Sequence, residues 1–223
     1  MGYICEMPQA SSPRRQQRAP DARKWRRRAE ARPDEILDAA LAEFTERGFD
    51  AARMQDIAKR AGLSKAGVYL YFESKDALLK ALIQAKVAPL AHQAQAIARA
   101  GAADPVAALR MLAGAAAARF ADAKVFAVPR LVIGLSGRFP EFADYYRTHV
   151  VEIARAAIES LVAAGIARGD FRRVDPRAAA RAFIGPLLLE MIWAHVLGGE
   201  SALAAPEKLI DAQLDVLLEG LRA

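Results

Sequence analysis

The sequence predicts an all-α protein, and three observations carry that prediction. Alanine and leucine dominate the 223 residues while β-branched and aromatic runs are scarce, a balance that favours helix over strand. Apolar residues recur at a spacing of three and four rather than two. Cap-and-proline pairs such as Asp104-Pro105 and Asp175-Pro176 read as an N-cap followed by Pro at the first helical position. Together they predict about nine helices: an N-terminal three-helix head followed by a larger helical body. No internal repeat with a period of roughly 20 to 50 residues is present.

Residues 1–32 are rich in Arg, Gln, Ser and Pro with no apolar period, and read as a flexible basic arm. Order is expected to begin at Pro33, with Asp34 and Glu35 complementing the helix dipole. Ile36, Leu37, Ala40, Leu41 and Phe44 then form an amphipathic stripe that Gly48 ends. A short second helix is expected from Met54 to Ala61. Gly62 terminates it, and Ser64 is placed to cap a third helix running to Phe72.

Ser74 is another good N-cap, opening a longer helix that continues to about Ala100, before Gly101. Pro129 and Pro140 punctuate the middle of the chain, and Gly165 to Asp170 reads as a turn. Two later segments are unusually apolar. Phe183 to Trp193 leaves almost no polar face and carries Pro186, which is expected to kink it. The last helix, opened by Ala205-Pro206-Glu207, has a broad apolar stripe ending at Leu221. Such a pair suits an intermolecular four-helix bundle in a homodimer, although a monomeric core would also use it.

Charge is unevenly placed. Nine basic side chains against Glu6, Asp21 and Glu30 put the whole net charge of +6 in residues 1–32. The remainder is neutral, and residues 33–77 are net negative. A basic arm on a neutral body suggests a polyanionic partner, nucleic acid or an anionic membrane surface, and equally suits a merely solvated tail.

No apolar run reaches the roughly 18 to 20 residues needed to cross a bilayer, and no secretory signal is evident. The single Cys5 forms no internal disulfide, so a cytoplasmic location is expected. His92, His149 and His195 stand too far apart for a metal site, and no phosphate loop or nucleophile elbow is present. No catalytic residue, metal or cofactor is expected.

The chemistry concentrates in Met54 to Phe72, MQDIAKRAGLSKAGVYLYF. A helix-turn-helix needs a small residue where its helices cross, and Ala58 supplies one. It also needs a turn residue tolerant of positive φ, and Gly62 follows four positions later. Ile57, Leu63 and Val68 fall where the two helices must be pinned together. The spacing suits DNA binding, and a purely structural helical hairpin could share it.

The longer stretch GFDAARMQDIAKRAGLSKAGVYLYFESKDALLKALI resembles the DNA-binding domain of TetR/AcrR-type regulators. It holds the Gly-aromatic end of the first helix, the Asp-Ile-Ala helix, Ala-Gly-apolar-Ser, the Tyr-x-Tyr-Phe helix and Ser-Lys-acidic-x-Leu. That resemblance covers residues 33 to 83. It implies domains at 1–32 (arm), 33–77 (helix-turn-helix) and 78–223 (ligand binding and dimerisation).

The resemblance also implies roles. The helix opening after Ser64 would lie in the major groove. Lys65 would donate to a base or phosphate, and Ala66 and Gly67 would permit close approach. Tyr69 and Tyr71 would offer hydroxyls to phosphates and Leu70 an apolar contact to a thymine methyl, with Tyr71 alternatively core. Lys75 would add a phosphate contact, and Arg53 could reach another. Arg26, Arg27 and Arg28 could enter the adjacent minor groove. Gly67 departs from the Thr or Ser common there, and Ala52-Arg53 departs from a capping Thr.

The family implies a homodimeric repressor on a palindromic operator, released by a small effector, here expected to be apolar. Candidate pocket residues are Met111, Phe120, Phe126, Phe139, Phe142, Tyr145, Glu190 and Trp193, each of which could instead be ordinary core. An activator, a regulator without a ligand, and a basic-arm membrane-surface or scaffold protein are the alternatives.

Overall fold

The computed structural model describes residues 22–198 and 206–222, with side chains from 32–198 and 212–222. Nine helices run through them: α1 (Ala22–Arg47), α2 (Met54–Arg60), α3 (Lys65–Tyr69), α4 (75–100), α5 (Pro105–Phe120), α6 (Ala123–Leu135), α7 (140–168), α8 (Pro176–His195) and α9 (Pro206–Leu221). The one bridge of β type among the described residues pairs Phe171 with Arg222.

The predicted caps form. Ser64, Ser74, Asp104 and Asp175 each accept a backbone N–H from the first turn of the helix they precede. Gly48 and Gly62 adopt positive φ of 82° and 67° at the two turns of the head. Helix ends at Ala61 and Phe72 fall a little short of expectation, at Arg60 and Tyr69.

Three expectations need correction. The first helix starts at Ala22, not Pro33, which lies inside it. Ala, Arg, Lys and Glu from 22 to 32 are strong helix formers, and together they outweigh one missing N–H. Pro129 does not punctuate anything: α6 runs through it, and its ring is buried among apolar neighbours. The expected turn at Gly165 is helical as far as Arg168, and Gly169 (φ 85°) makes the stop. Gly165 serves packing instead, since a Cβ there would come within 2.2 Å of the Phe171 ring.

Helices α4 and α7 each contain a π-helical turn, at Ile83–Val87 and Arg147–Val151. In α4 the widened turn directly precedes Pro89, whose ring and missing N–H a regular helix would not accommodate. Pro186 lies inside α8, which continues past it.

Two apolar cores result. The first joins α1, α2, Val68 of α3 and the first half of α4 to Val128, Val132 and Leu135 of α6 and Phe142 and Val150 of α7. The second joins the end of α4 to α5, the second half of α7, α8 and α9. Thus the head has no separate core, and the boundary expected at 77/78 falls inside both α4 and the first cluster. The α8 segment is buried on one side through Ala179, Ala180, Phe183 and Met191, but Leu189 and Trp193 are 60% and 48% exposed.

Candidate nucleic-acid interface

The face of α1 formed by Ile36, Ala40 and Phe44 is closed to solvent and seats α2. On α2, Ile57 and Ala58 are fully covered, so the helices cross closely at the small residue expected there. The chain then reverses at Gly62: its N–H donates to Lys59 and the Leu63 N–H to Ala58, at 3.2 and 2.9 Å. Ser64 follows in extended conformation, and its Oγ accepts the Gly67 N–H at 3.0 Å.

Val68 anchors α3 with no exposed surface, and the rest of the helix faces outward. Ser64, Lys65 and Ala66 are exposed. Tyr69 and Tyr71 are 44% and 42% exposed and Leu70 is 84% exposed. A leucine standing in water with two phenols beside it costs apolar hydration in the free protein, unlike Phe72, which packs on the first core. The Lys65 Nζ stands 5.8 Å from the centre of the Tyr69 ring. Gly67 lies tight under the cap: an added Cβ would sit 3.3 Å from Ser64 Oγ.

Ion pairs make α1 and α2 one unit. Arg60 donates to Glu43 Oε1 at 2.9 Å and to Glu46 Oε2 at 2.8 Å. Arg47 Nε lies 3.2 Å from Glu43 Oε2, and Glu43 is only 5% exposed. The hydrogen bond from Arg60 holds the Glu46 carboxyl below its ordinary value. Arg47 and Arg60 are therefore engaged internally, while Arg53, Lys59 and Lys65 present their charge to solvent. Lys59, not singled out in the sequence, stands exposed on α2 one turn before Gly62. Arg53 precedes α2 in extended conformation and makes no side-chain cap.

Lys75 departs from expectation. Instead of standing ready for a phosphate, its ammonium donates to the carbonyls of Phe49 and Asp50, at 2.7 and 3.1 Å, and lies 4.9 Å over the Phe49 ring. The turn at Gly48 points these carbonyls toward the start of α4, where a cation satisfies them. Arg26, Arg27 and Arg28 fall in the first turns of α1, but their side chains lie outside the described residues, as do the arm's residues 1–21 with Cys5.

The eight candidate pocket residues do not converge. Phe139, Phe142 and Tyr145 belong to the first core, where Phe139 and Phe142 pack on Phe49. Phe126 is buried and stacks on His195, whose Nε2 lies 3.1 Å from the Phe120 carbonyl. Met111 and Trp193 are 61% and 48% exposed, and Glu190 is half-buried. A cavity of about 470 Å³ lies elsewhere, between the start of α5, the α7–α8 turn and α9. Its walls carry the pairs Arg110–Asp215 and Arg168–Asp170 at 2.6 and 2.8 Å, so it is polar and charge-compensated. Among the described residues no group of three His, Cys, Asp or Glu side chains could hold a metal, and no helix is long and apolar enough to cross a membrane.

Comparison with known proteins places this geometry. Residues 36–82 match the family of bacterial regulatory proteins of the tetR type, and residues 107–219 match the C-terminal domain of AefR-like transcriptional repressors. The chain is 40% identical over 53 residues to the HTH-type transcriptional regulator YfiR of Bacillus subtilis, covering 24% of this chain and 26% of that one. It thus spans about a quarter of the length of that curated relative. Solved structures align far more completely. A TetR-family transcriptional regulator from Mesorhizobium loti superposes with a TM-score of 0.71 at 25% identity, over 88% of this chain and 99% of the other. The flavonoid-responsive regulator FrrA does so with 0.60 at 30% identity, over 86% and 98%.

Proposed function

Because the chain belongs to the TetR family of DNA-binding transcriptional regulators, we propose that it is a homodimeric repressor whose α3 reads a palindromic operator and which a small, largely apolar effector releases. The observation that carries this reading is the outer face of α3. Lys65, Tyr69, Leu70 and Tyr71 are exposed together on α3 and the two residues that follow it, a segment fixed by Ser64 and Val68. A cation, two phenols and one bare leucine stand together in solvent, and a major groove offers each a partner.

In this reading Ser64 sets the start of the helix, and Ala66 and Gly67 let it approach the bases. Lys65 and Leu70 meet base edges or the adjoining backbone, while Tyr69, Tyr71 and Arg53 meet phosphates. Arg26, Arg27 and Arg28 supply charge that residues 33–77 lack. The exposed apolar residues of α8 and α9, Leu189, Trp193 and Val216, support a bundle between two copies. That FrrA is a flavonoid-responsive regulator supports release by a small organic effector.

The test is a titration against the DNA upstream of its own gene, with shuffled DNA as control, across a salt series. Tight binding to one short palindromic site, weakened in Lys65→Ala, supports the reading. Equal and steeply salt-sensitive affinity for both DNAs, with no site recovered from a genome-wide search, overturns it.

A further inference from the structure

The α1–α2 turn is gripped from two directions. From α4, Lys75 holds the carbonyls of Phe49 and Asp50. From the body, Arg138 in the corner between α6 and α7 pairs with the Asp50 carboxylate, and its guanidinium lies 5.4 Å over the ring of Phe139. Phe49 itself is 5% exposed, with ring centres 5.7 Å from Phe139 and 5.4 Å from Phe142.

These contacts do different things. The three phenylalanines supply adhesion and, through tilted and edge-to-face pairs, part of the orientation. An Arg–carboxylate pair is directional. Both its partners are more than half exposed, so it adds little to stability. Its position gives it leverage, because Asp50 lies in the turn between α1 and α2, and the Arg60–Glu43–Arg47 lattice makes α1 and α2 move together. The corner holding Arg138 is rigid as well, with the Arg138 and Phe139 N–H groups both donating to Leu135.

We propose that Asp50 and Arg138 are positioning residues: their pair fixes the orientation of the DNA-reading head on the body, and thereby the half-site spacing that the dimer accepts. This inference rests on the operator-binding reading above, and it names the part of the body through which an effector would act on the head. A state that breaks the pair admits other spacings, whereas one that keeps it enforces a single spacing.

The test uses the full-length protein, a palindromic duplex that it selects from a random pool, and the same duplex with its half-sites one base pair further apart. In Arg138→Gln and Asp50→Asn the ratio of the two affinities is expected to fall by on the order of threefold. The ratio, not the affinity, is read because removing the Asp50 charge alters attraction to both duplexes alike. The exchanged pair Asp50→Arg with Arg138→Asp is expected to restore it, whereas Arg138→Lys, which keeps the charge but loses the planar fork, is expected to restore it only in part.

A second arm needs no DNA. Hydrogen exchange at the Ala52 and Phe139 amides, on the two sides of the pair, is expected to quicken severalfold in both single variants and to recover in the exchanged pair. If no duplex is selected, the operator-binding reading fails, and the exchange arm still decides whether the pair couples head to body. Wild-type spacing discrimination in both single variants, wild-type exchange in both, or failure of the exchanged pair to restore either would overturn the proposal.

Discussion

The ammonium of Lys75 donates to the carbonyl oxygen of Phe49 at 2.7 Å, although the two residues lie 26 positions apart. With its second bond to Asp50, the lysine is a tie across the base of the head. Lys75→Met keeps the stem but loses both charge-assisted bonds. It is expected to destabilise the protein by about 1–2 kcal/mol, read from urea denaturation. The slope of log affinity against log salt on operator DNA should be unchanged. A lysine that contacts a phosphate would instead lower that slope by about 0.9 on removal.

Lys65 and Tyr69 make opposite demands on the same salt experiment. Tyr69→Phe removes a neutral hydroxyl, so affinity should drop about five- to tenfold, for a lost bond of about 1 kcal/mol, with an unchanged salt slope. Lys65→Ala should flatten the slope by about 0.9 if the ammonium meets a phosphate. If it meets a guanine edge, the slope stays closer to wild type and discrimination at one base pair relaxes. Filter-binding titrations at four salt concentrations separate these outcomes.

What was legible in the sequence was local. Ser64, Gly62, Ser74, Asp104-Pro105 and Asp175-Pro176 announce their caps and turns through chemistry acting within about four residues, and the structure has them all. The outward residues around α3 came from the resemblance to TetR/AcrR-type regulators, with Tyr71 left open between contact and core. The bonds of Lys75 to the carbonyls of Phe49 and Asp50 were not legible because a turn 26 residues away sets them. Arg138 was missed because Asp50 is 88 residues distant, and a lone arginine in a corner carries no pattern. The π turns left no trace, since one extra residue in a helix only shifts the phase of an apolar stripe. The pocket candidates were bulky apolar or aromatic residues together with Glu190, and only packing decides whether such a residue faces a cavity or a neighbour.

Tyr146 packs against the first core, and burial pushes its phenol up to about 12 from an ordinary value near 10. The folded state therefore favours the neutral phenol. Its contribution is complete below about pH 10 and disappears as pH rises through the folded value. Relative to pH 8, the wild type should lose about 1–2 kcal/mol more than Tyr146→Phe on transfer to about pH 11.5. Urea midpoints for both proteins at the two pH values measure this difference, and the other titrating groups cancel between them.

Gly67 sits where stability and DNA reading meet. In the interior of a helix, Ala is favoured over Gly by about 1 kcal/mol. Against this, the added Cβ would stand 3.3 Å from Ser64 Oγ, tighter than an ordinary contact. The capping bond from the Gly67 N–H to that same oxygen leaves the hydroxyl little room to retreat. The two effects oppose, so Gly67→Ala should change stability by less than about 0.5 kcal/mol. Gly67→Thr adds a β-branched side chain in the same crowded place and is expected to cost about 1 kcal/mol. It also presents a new hydroxyl on the recognition face, so its base preference should shift in a selection from random duplexes while Gly67→Ala leaves the preference unchanged. Were both variants to select the wild-type site with wild-type affinity, α3 would not approach the bases near this residue, and the close fit assigned to Ala66 and Gly67 would have to be withdrawn.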